Sequence, residues 1–433
     1  MPEVAHVVAL LRRNVLGCKI SSVILKNDPL LFPALKTAVD AENEVETMKN
    51  TLLDSRIDSV GRHGKYFWMR LNLANGPDLA KAPSGVLLMH FGMTGMIKLR
   101  NIDSHLTFME NGGDKKVLEK MKVAVKQETT ETVTVPKDDK DTKDDVKDEE
   151  WPPKFVKFEM DLERENGEVI ELAFVDPRRL GRVRLLTGET VQSDELLMEE
   201  APLKSLGPDY SKLAEGKTTD KFVYGDPDPH HHGRPRLLLQ EFNDLVLLKK
   251  KPIKSMLLEQ ELFSGVGNWV ADEIIYHARL HPNEVISSKI SNDGNVSQVI
   301  KELYNALIYV CEYCVSVEGE VTQFPDNWLM PYRWGKGRKQ EKSKTKEGYQ
   351  VDHVTVGGRT SCFVPELQKM LKNQKTEDKE KEKVKKVKKK AEDGETKVKK
   401  DNETKAEDDG ESTRTKRLAS GAAGGLRKKK STK

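Results

Sequence analysis

Cysteine is scarce in this chain of 433 residues, which has only Cys18, Cys311, Cys314 and Cys362. So few thiols exclude a disulfide framework and favour a reducing compartment. Long apolar runs are missing as well: no stretch approaches the roughly 18 residues of a transmembrane helix, so no membrane partner is expected. The first residues show no cationic segment followed by an apolar one, and no secretory signal is predicted.

Metal-binding patterns are also sparse. Cys311 and Cys314 have zinc-like spacing, but no second pair accompanies them. Both fall on the apolar stripe of a predicted helix, which favours a place in the core. The run His230–His232 lies among prolines and glycines and is expected to be solvated. Neither a nucleotide-binding glycine motif, nor a zinc-protease motif, nor a nucleophile elbow occurs, so neither a metal nor an organic cofactor is predicted.

Charge is distributed unevenly along the chain. Residues 374–433 hold 21 basic and 13 acidic side chains, and the other residues hold 52 and 57. By composition, this tail and the stretches 110–150 and 216–236 bury too little apolar surface to fold. The rest is long enough for two domains. Because the rest is not globally basic, it can bind nucleic acid only through a local cluster of cations.

The spacing of apolar residues predicts an α+β chain. A helix is expected over 3–16 with Gly17 as its stop, followed by a mostly antiparallel β domain. Predicted strands are 65–73, Val86–His90, Val169–Val175 and Arg182–Leu186. After Leu237 the pattern becomes helical, and the predicted helices are Ile253–Phe263, Asn268–His281 and Val299–Val315. The pair Gly357-Gly358 predicts a β-hairpin with Arg359 beside its tip.

The amino terminus is the first candidate for chemistry. Removal of Met1 before the small residue Pro2 would expose a secondary amine. An α-amino group has a pKa of about 8, about two units below that of lysine, so more of it is unprotonated at neutral pH. Such an amine can attack a sugar carbon and form a Schiff base, with Glu3 as an acid and base beside it. Many proteins begin with Met-Pro, so this pair alone does not identify an enzyme.

The loop SGVGN at 264–268 is a candidate phosphate site between two predicted helices. Its glycines let a ligand approach the backbone, and the start of the next helix favours an anion. Asn268 can cap that helix and donate to a phosphate, and Lys254 adds positive charge nearby. An ordinary helical hairpin with a glycine turn explains the pattern equally well.

Three further segments carry candidate DNA contacts. Lys65 begins a strand next to a glycine, and His90 and Met93 lie in the motif HFGMTG. Arg178 and Leu180 lie in DPRRLG, where cations and an apolar side chain on a proline-initiated turn suit insertion into a duplex. A surface turn with a salt bridge is the simpler alternative for that motif.

Taken in order, these motifs resemble the formamidopyrimidine-DNA glycosylase family. The resemblance spans almost the whole folded chain and rests on Met1-Pro2-Glu3, Lys65, HFGMTG, DPRRLG, Leu206-Gly207-Pro208 and residues 252–282. The last segment resembles the family's helix–two-turn–helix and is the most specific match. The family implies a monomeric enzyme that flips a damaged base out of double-stranded DNA and cleaves its glycosidic bond. It then nicks the strand by β- and δ-elimination without a metal or cofactor.

The resemblance assigns roles residue by residue. Pro2 is the expected Schiff-base nucleophile, Glu3 the proton donor, and Lys65 a residue that aids β-elimination. The side chains expected to bind phosphates are Lys65, His90, Asn268 and Arg359, with Lys254 added for its charge. Those expected to occupy the void left by the flipped nucleotide are Met93, Arg178 and Leu180.

The expected fold is an N-terminal two-layer antiparallel β-sandwich with flanking helices, then a helical helix–two-turn–helix domain with a β-hairpin finger. The predicted bounds are 1–207 for the first domain with its insertion 110–150, 208–236 for a linker, 237–315 for the helical domain, 316–373 for the finger and 374–433 for a basic tail. The finger holds one cysteine, Cys362, and resembles the zincless finger of plant and fungal members, in which Arg359 clamps a phosphate and aids δ-elimination. Lysine-rich runs in the tail predict a nuclear protein, with the mitochondrion as a second location.

Three departures from the family's pattern bear on specificity. His6 stands where bacterial members have a second glutamate, and Leu180 replaces a common phenylalanine. The segment between Val315 and Phe324 leaves little room for a lesion-capping loop. These departures favour formamidopyrimidines, hydantoins and abasic sites over 8-oxoguanine. A related glycosylase for oxidised pyrimidines and a catalytically inactive DNA-binding protein remain alternatives.

Overall fold

The structure is a computed structural model, and it describes residues 1–73, 84–105, 150–212, 236–333 and 343–372. The three segments predicted not to fold, 110–150, 216–236 and 374–433, lie outside the described residues except for Glu150 and Arg236. The same holds for His230–His232. None of the described helices is both long and apolar enough to cross a membrane.

The chain opens with helix α1, Pro2–Val15. Proline is favoured in the first turn of a helix because an N–H group there would have no helical partner. Glu3 lies at the N-terminal end and Arg13 at the C-terminal end, where their charges interact favourably with the helix dipole. The helix buries an apolar face that includes Val4, Val8, Leu11 and Val15. Gly17 follows at φ +78° and ends the helix. The predicted first helix is thus confirmed.

Antiparallel strands then form the N-terminal domain. Their bounds are β1 Lys19–Leu25, β2 Arg56–His63, β3 Tyr66–Asn72, β4 Ser84–His90, β5 Met96–Leu99, β6 Val156–Glu163, β7 Val169–Val175 and β8 Arg182–Thr187. Their order is β5-β7-β6-β1-β2-β3-β4-β8. β1 and β2 share a single register pair, Lys19 with Arg56, so the sheet divides there into two four-stranded layers. The predicted strands are confirmed within one or two residues.

The two layers enclose one apolar core. Phe158 and Phe174 come from one layer, and Phe67 and Met89 from the other. The ring of Phe91 joins them, since its centroid lies 4.6 Å from that of Phe67 and 5.8 Å from that of Phe174. Helix α2, Ala41–Leu52, packs on the same core, and helix α3, Asp194–Met198, covers the other face of β3 and β4.

The second half of the described chain is helical. The helices are α4 Leu239–Leu248, α5 Ile253–Leu257, α6 Asn268–His277, α7 Ile286–Lys289 and α8 Gln298–Ser316. The prediction for α5 was six residues too long, because the N–H groups of Leu258 and Glu259 bond only three residues back, to the carbonyls of Ser255 and Met256, and the α-helical pattern ends there. The prediction for α6 was four residues too long. Cys311 and Cys314 are fully buried on the inner face of α8, as predicted for core residues.

A β-hairpin follows the helices. It consists of β9, Asp352–Val356, and β10, Arg359–Phe363, joined by Gly357 and Gly358 at φ +55° and +75°. Two positive φ values in a two-residue turn match the twist of the strands, and only glycine adopts both without strain. The predicted hairpin is confirmed, with Arg359 as the first residue after the turn.

Candidate active site and nucleic-acid interface

The amino terminus lies between two glycine turns of the helical half. A Cβ placed on Gly265 would lie 3.2 Å from the Met1 side chain, and one placed on Gly319 would lie 3.0 Å from the Cβ of Pro2. Both glycines have positive φ, so close approach and backbone conformation each require them. Met1 is buried and belongs to the core of the helical half. The fold therefore holds the first two residues at the junction of the two domains.

Glu3 contacts the terminal amine directly. Its Oε2 lies 3.2 Å from the Met1 nitrogen, and its Oε1 accepts a hydrogen bond of 3.3 Å from the Trp269 indole. Burial lowers the pKa of the terminal amine below its ordinary value, an effect that Lys65 strengthens and Glu3 opposes. Burial alone would raise the pKa of Glu3, but the amine and the hydrogen bonds lower it below its ordinary value. A weakly basic amine therefore lies beside an ionised carboxylate.

Lys65 reaches over the glycine loop from the turn between β2 and β3. Its ammonium donates to the Val266 carbonyl at 3.2 Å, and its Nζ lies 4.0 Å from the Cβ position of Gly267. His90 ends β4 beside this group. Burial lowers the pKa of His90 to about 4, and the charges of Lys65 and the terminal amine add to that effect. Lys65, His90, Glu3 and the amino terminus thus lie close together.

The turn that carries Lys65 is held by a buried network that sequence reasoning missed. Asp209 Oδ2 accepts hydrogen bonds from Arg62 at 2.7 Å and from the Gly64 N–H at 2.9 Å. His63 contacts the Gly207 carbonyl at 2.9 Å. Burial would raise the pKa of Asp209, but Arg62 and Lys212 hold it well below its ordinary value. Its place directly after Leu206-Gly207-Pro208 was the only sequence signal for this residue.

Two loops of the first domain present the residues predicted to enter the duplex. The carboxylate of Asp176 shapes DPRRLG by accepting from the Thr94 hydroxyl at 2.8 Å and from the Gly181 N–H at 2.7 Å. A Cβ on Gly92 would lie 2.5 Å from the Leu180 carbonyl, so the two motifs touch there. Leu180 is 39% exposed. Arg178 is exposed and Met93 half-buried, so these side chains share one edge of the domain.

Lys254 does not lie at the surface. Its side chain is fully buried, its ammonium is 2.6 Å from Asp272 Oδ1, and it also donates to the Asn268 carbonyl. Burial lowers its pKa to about 8 although Asp272 opposes the change. The prediction that Lys254 contacts a phosphate is therefore wrong. Its ammonium forms a buried ion pair with Asp272, a partner that the sequence pattern did not reveal.

Asn268 connects the glycine loop with the hairpin. Its Nδ2 donates to the Thr360 carbonyl at 3.1 Å, and its buried Oδ1 has no hydrogen-bond partner among the described residues. It does not cap α6, because Gly267 occupies the cap position without a side-chain bond. Arg359 adjoins Thr360 and is exposed. The geometry thus places Arg359 next to a residue that touches the loop.

Comparison with known proteins supplies the context of this geometry. Residues 1–183 match the model of the formamidopyrimidine-DNA glycosylase N-terminal domain, and residues 227–325 match that of the formamidopyrimidine-DNA glycosylase H2TH domain. A formamidopyrimidine-DNA glycosylase of Arabidopsis thaliana is 29% identical over 370 residues, which are 86% of this chain and 70% of the relative. One from Legionella pneumophila strain Lens is 22% identical and covers 86% of this chain and 98% of its own length.

Solved structures share the fold. MutM in complex with DNA that contains carbocyclic 8-oxo-G superposes with a TM-score of 0.51 at 19% identity, covering 85% of this chain and 98% of that one. A complex between Lactococcus lactis Fpg and DNA with an abasic site gives 0.51 at 18% identity, covering 85% and 99%. The sheet domain and the helical domain described above therefore follow the architecture of these proteins.

Proposed function

Because the chain belongs to the formamidopyrimidine-DNA glycosylase family, we propose that it is a base-excision-repair glycosylase and abasic-site lyase acting on damaged double-stranded DNA. The contact between the terminal amine and Glu3 at 3.2 Å, next to the glycine loop, carries this proposal. This amine is that of Met1; once Met1 is removed, the terminal amine is that of Pro2, which directly precedes Glu3 in the chain. A protein that only binds DNA does not need a free proline amine there.

The first step requires an extruded base and a free Pro2 amine. Flipping costs a few kcal/mol and is cheapest at a damaged pair. After removal of Met1, the Pro2 nitrogen attacks C1′ of the deoxyribose and displaces the base, which leaves with a proton. The ionised Glu3 takes the proton that the Pro2 nitrogen loses and passes it to the leaving base. Opening of the sugar ring then gives the iminium, and water supplies the proton for the ring oxygen.

The lyase steps follow from the iminium. Its positive charge acidifies the protons on C2′, so loss of one of them expels the 3′ phosphate by β-elimination. A second elimination expels the 5′ phosphate. Lys65 lies close enough to the amino terminus for its charge to lower the pKa of the terminal amine. We propose that it assists the first elimination. Arg359 is the proposed clamp for the second.

The DNA contacts proposed here use side chains of both domains. His90 and Asn268 bind phosphates, and Asn268 retains one amide hydrogen for this purpose because the Thr360 carbonyl uses the other. Met93, Arg178 and Leu180 fill the void of the flipped nucleotide. We propose formamidopyrimidines, hydantoins and abasic sites as the preferred substrates and 8-oxoguanine as a weak one, because the link between α8 and Phe324 is short and is taken up by a turn and a 3-10 helix, Val321–Gln323. The lysine-rich tail is proposed to direct the protein to the nucleus, and the mitochondrion stays open.

Borohydride trapping on a duplex with an abasic site tests the chemistry. The processed protein is expected to give a covalent adduct, and Pro2→Gly or a tag fused ahead of Pro2 is expected to abolish it. Normal DNA affinity with no adduct from the processed protein would instead favour the inactive DNA-binding alternative. A lesion panel that includes thymine glycol separates purine from pyrimidine preference.

A further inference from the structure

A buried polar cluster lies directly behind Pro2. His6, one helical turn further along α1, is almost fully buried, and its Nδ1 donates to Glu318 Oε2 at 3.1 Å. Its Nε2 lies 2.8 Å from the Ser104 hydroxyl. With Nδ1 as the donor, Nε2 of a neutral imidazole accepts from that hydroxyl, so both ring nitrogens are satisfied. The ring of His105 lies 3.9 Å from that of His6.

Glu318 is the most strongly held member of this cluster. Arg13 binds both of its carboxylate oxygens, at 2.6 and 2.9 Å, and His105 donates to its carbonyl at 3.1 Å. Burial would raise the pKa of Glu318, but the hydrogen bonds from His6 and Arg13 lower it to about 2. Its backbone is left-handed, with φ +49°, which a non-glycine residue adopts only when its surroundings impose it. The cluster therefore fixes this residue at both its side chain and its backbone.

The next residue, Gly319, packs against Pro2. Gly319 has φ +67°, and its N–H bonds to the Cys314 carbonyl at 2.9 Å, which closes the end of α8. The position of its Cβ would be 3.0 Å from the Cβ of Pro2 and 3.2 Å from its carbonyl carbon. Glu318 thus controls a turn whose neighbouring residue forms one wall against the Pro2 ring.

We propose that Glu318, held by His6 and Arg13, is a positioning residue that sets the Pro2 ring for attack on C1′. This inference rests on the proposed function. It also explains the departure at His6, because Glu318, in the turn after α8, brings a carboxylate to the side of α1 where bacterial relatives have their second glutamate. A misplacement of about 1 Å at a reacting centre can cost about a hundredfold in rate.

The cluster also meets the distance criterion for a metal site, since ligand atoms of His6, His105 and Glu318 lie within 4.8 Å of one another. Every ring nitrogen of His6 already has a protein partner, however, and a metal would have to break the bonds to Ser104 and Glu318. The hydrogen-bonded arrangement therefore favours positioning over metal binding.

The test measures single-turnover imine formation with the processed protein on a preformed abasic-site duplex, together with DNA affinity by fluorescence anisotropy. Glu318→Ala is expected to slow trapping at saturating enzyme by about tenfold to a hundredfold, with DNA affinity changed less than about twofold. Glu318→Gln, which keeps the acceptor, is expected to recover part of the rate. The glutamine variant also tests the positioning role if Glu318→Ala does not fold.

The matched control is Glu320→Gln. Glu320 lies two residues further on, and its side chain contacts Thr322 and His105 rather than His6 or Arg13. It is expected to trap at the wild-type rate. His6→Ala combined with Glu318→Ala should be no slower than the slower single variant, because the two side chains act as one unit.

The outcomes separate this inference from the proposed function. A wild-type protein that gives no adduct overturns the proposed function. A wild-type protein that traps normally while Glu318→Ala and Glu318→Gln trap at the same rate overturns the positioning role. Equal losses of rate and DNA affinity, or an equal loss in Glu320→Gln, would assign Glu318 to general stability and also overturn it.

Discussion

Lys254 and Asp272 form an ion pair that solvent does not reach, with side chains 0% and 1% exposed and 2.6 Å between their nearest polar atoms. The second oxygen of Asp272 accepts from Arg333 at 3.1 Å and from the Cys362 N–H at 3.2 Å. Asp272 lies in α6 and Cys362 in β10, so one carboxylate ties the hairpin to the helical domain. The position of Arg359 at the tip therefore depends on a lysine that faces away from solvent.

Lys254→Met should destabilise the protein by about 3–5 kcal/mol, because it leaves the Asp272 carboxylate buried with less compensation. Urea unfolding monitored by circular dichroism measures this change. Lys251→Met is the control: Lys251 pairs with Glu259 at the surface, and its loss should cost less than about 1 kcal/mol. Equal, small losses in both variants would show that the buried pair does not hold the hairpin.

Much of the fold could be predicted from the sequence because its signals are local. The alternation around Phe67 and Trp68 places one side chain in each of two cores, and the hairpin follows from Gly357-Gly358. The end of α5 could not be predicted, because the segment after it packs against a remote residue: the Gly207 N–H bonds to the Gln260 carbonyl.

In the candidate site, too, residues in local motifs could be predicted and residues held by remote partners could not. Pro2, Glu3 and Lys65 belong to motifs that can be read in order along the chain. Glu318 and Asp209 could not be found in this way, because their partners are remote: His6 and Glu318 are 312 positions apart. The sequence around a lysine does not show whether its ammonium will face DNA or a buried carboxylate. The surface position predicted for Lys254 is wrong for this reason.

The acid sensitivity of the fold should depend on His63. This imidazole is buried, and burial, followed by the Lys212 charge, lowers its pKa to about 4. Between pH of about 6.5 and 4 the unfolded chain binds a proton that the folded chain does not, so stability present above pH 6.5 is lost as the pH falls, by at most about 1.4 kcal/mol per unit. Urea unfolding at pH 7, 6, 5 and 4.5 should therefore give a flatter profile for His63→Gln. Parallel profiles for variant and wild type would contradict this assignment.

Gly265→Ala should remove lyase activity as well as stability. Its φ of +88° is left-handed, and the new Cβ would lie 3.1 Å from the Gly64 backbone, which carries Lys65 into the site. The left-handed conformation costs about 1–2 kcal/mol and the crowding about 1–3 kcal/mol more.

Gly294→Ala is the matched control for that experiment. Its φ is +87°, but a Cβ there meets no atom of the described residues within 4 Å, so it carries the backbone strain without the crowding. We expect it to lose about 1–2 kcal/mol in urea unfolding and to trap abasic-site DNA at the wild-type rate. Equal trapping by both alanine variants would show that the close approach of Gly64 and Gly265 does not position Lys65.

Arg359→Ala should weaken DNA binding without affecting the fold, because the side chain is exposed at the start of β10. Losing one phosphate contact should lower the slope of log affinity against log salt by about one. Arg359→Lys keeps the charge but loses the planar guanidinium that binds a phosphate through two hydrogen bonds. It should therefore show the wild-type salt slope but form only part of the wild-type amount of δ-elimination product. Anisotropy titrations at several salt concentrations and gel analysis of the cleaved strand measure the two effects separately. An unchanged salt slope in Arg359→Ala would mean that the hairpin does not reach the DNA backbone.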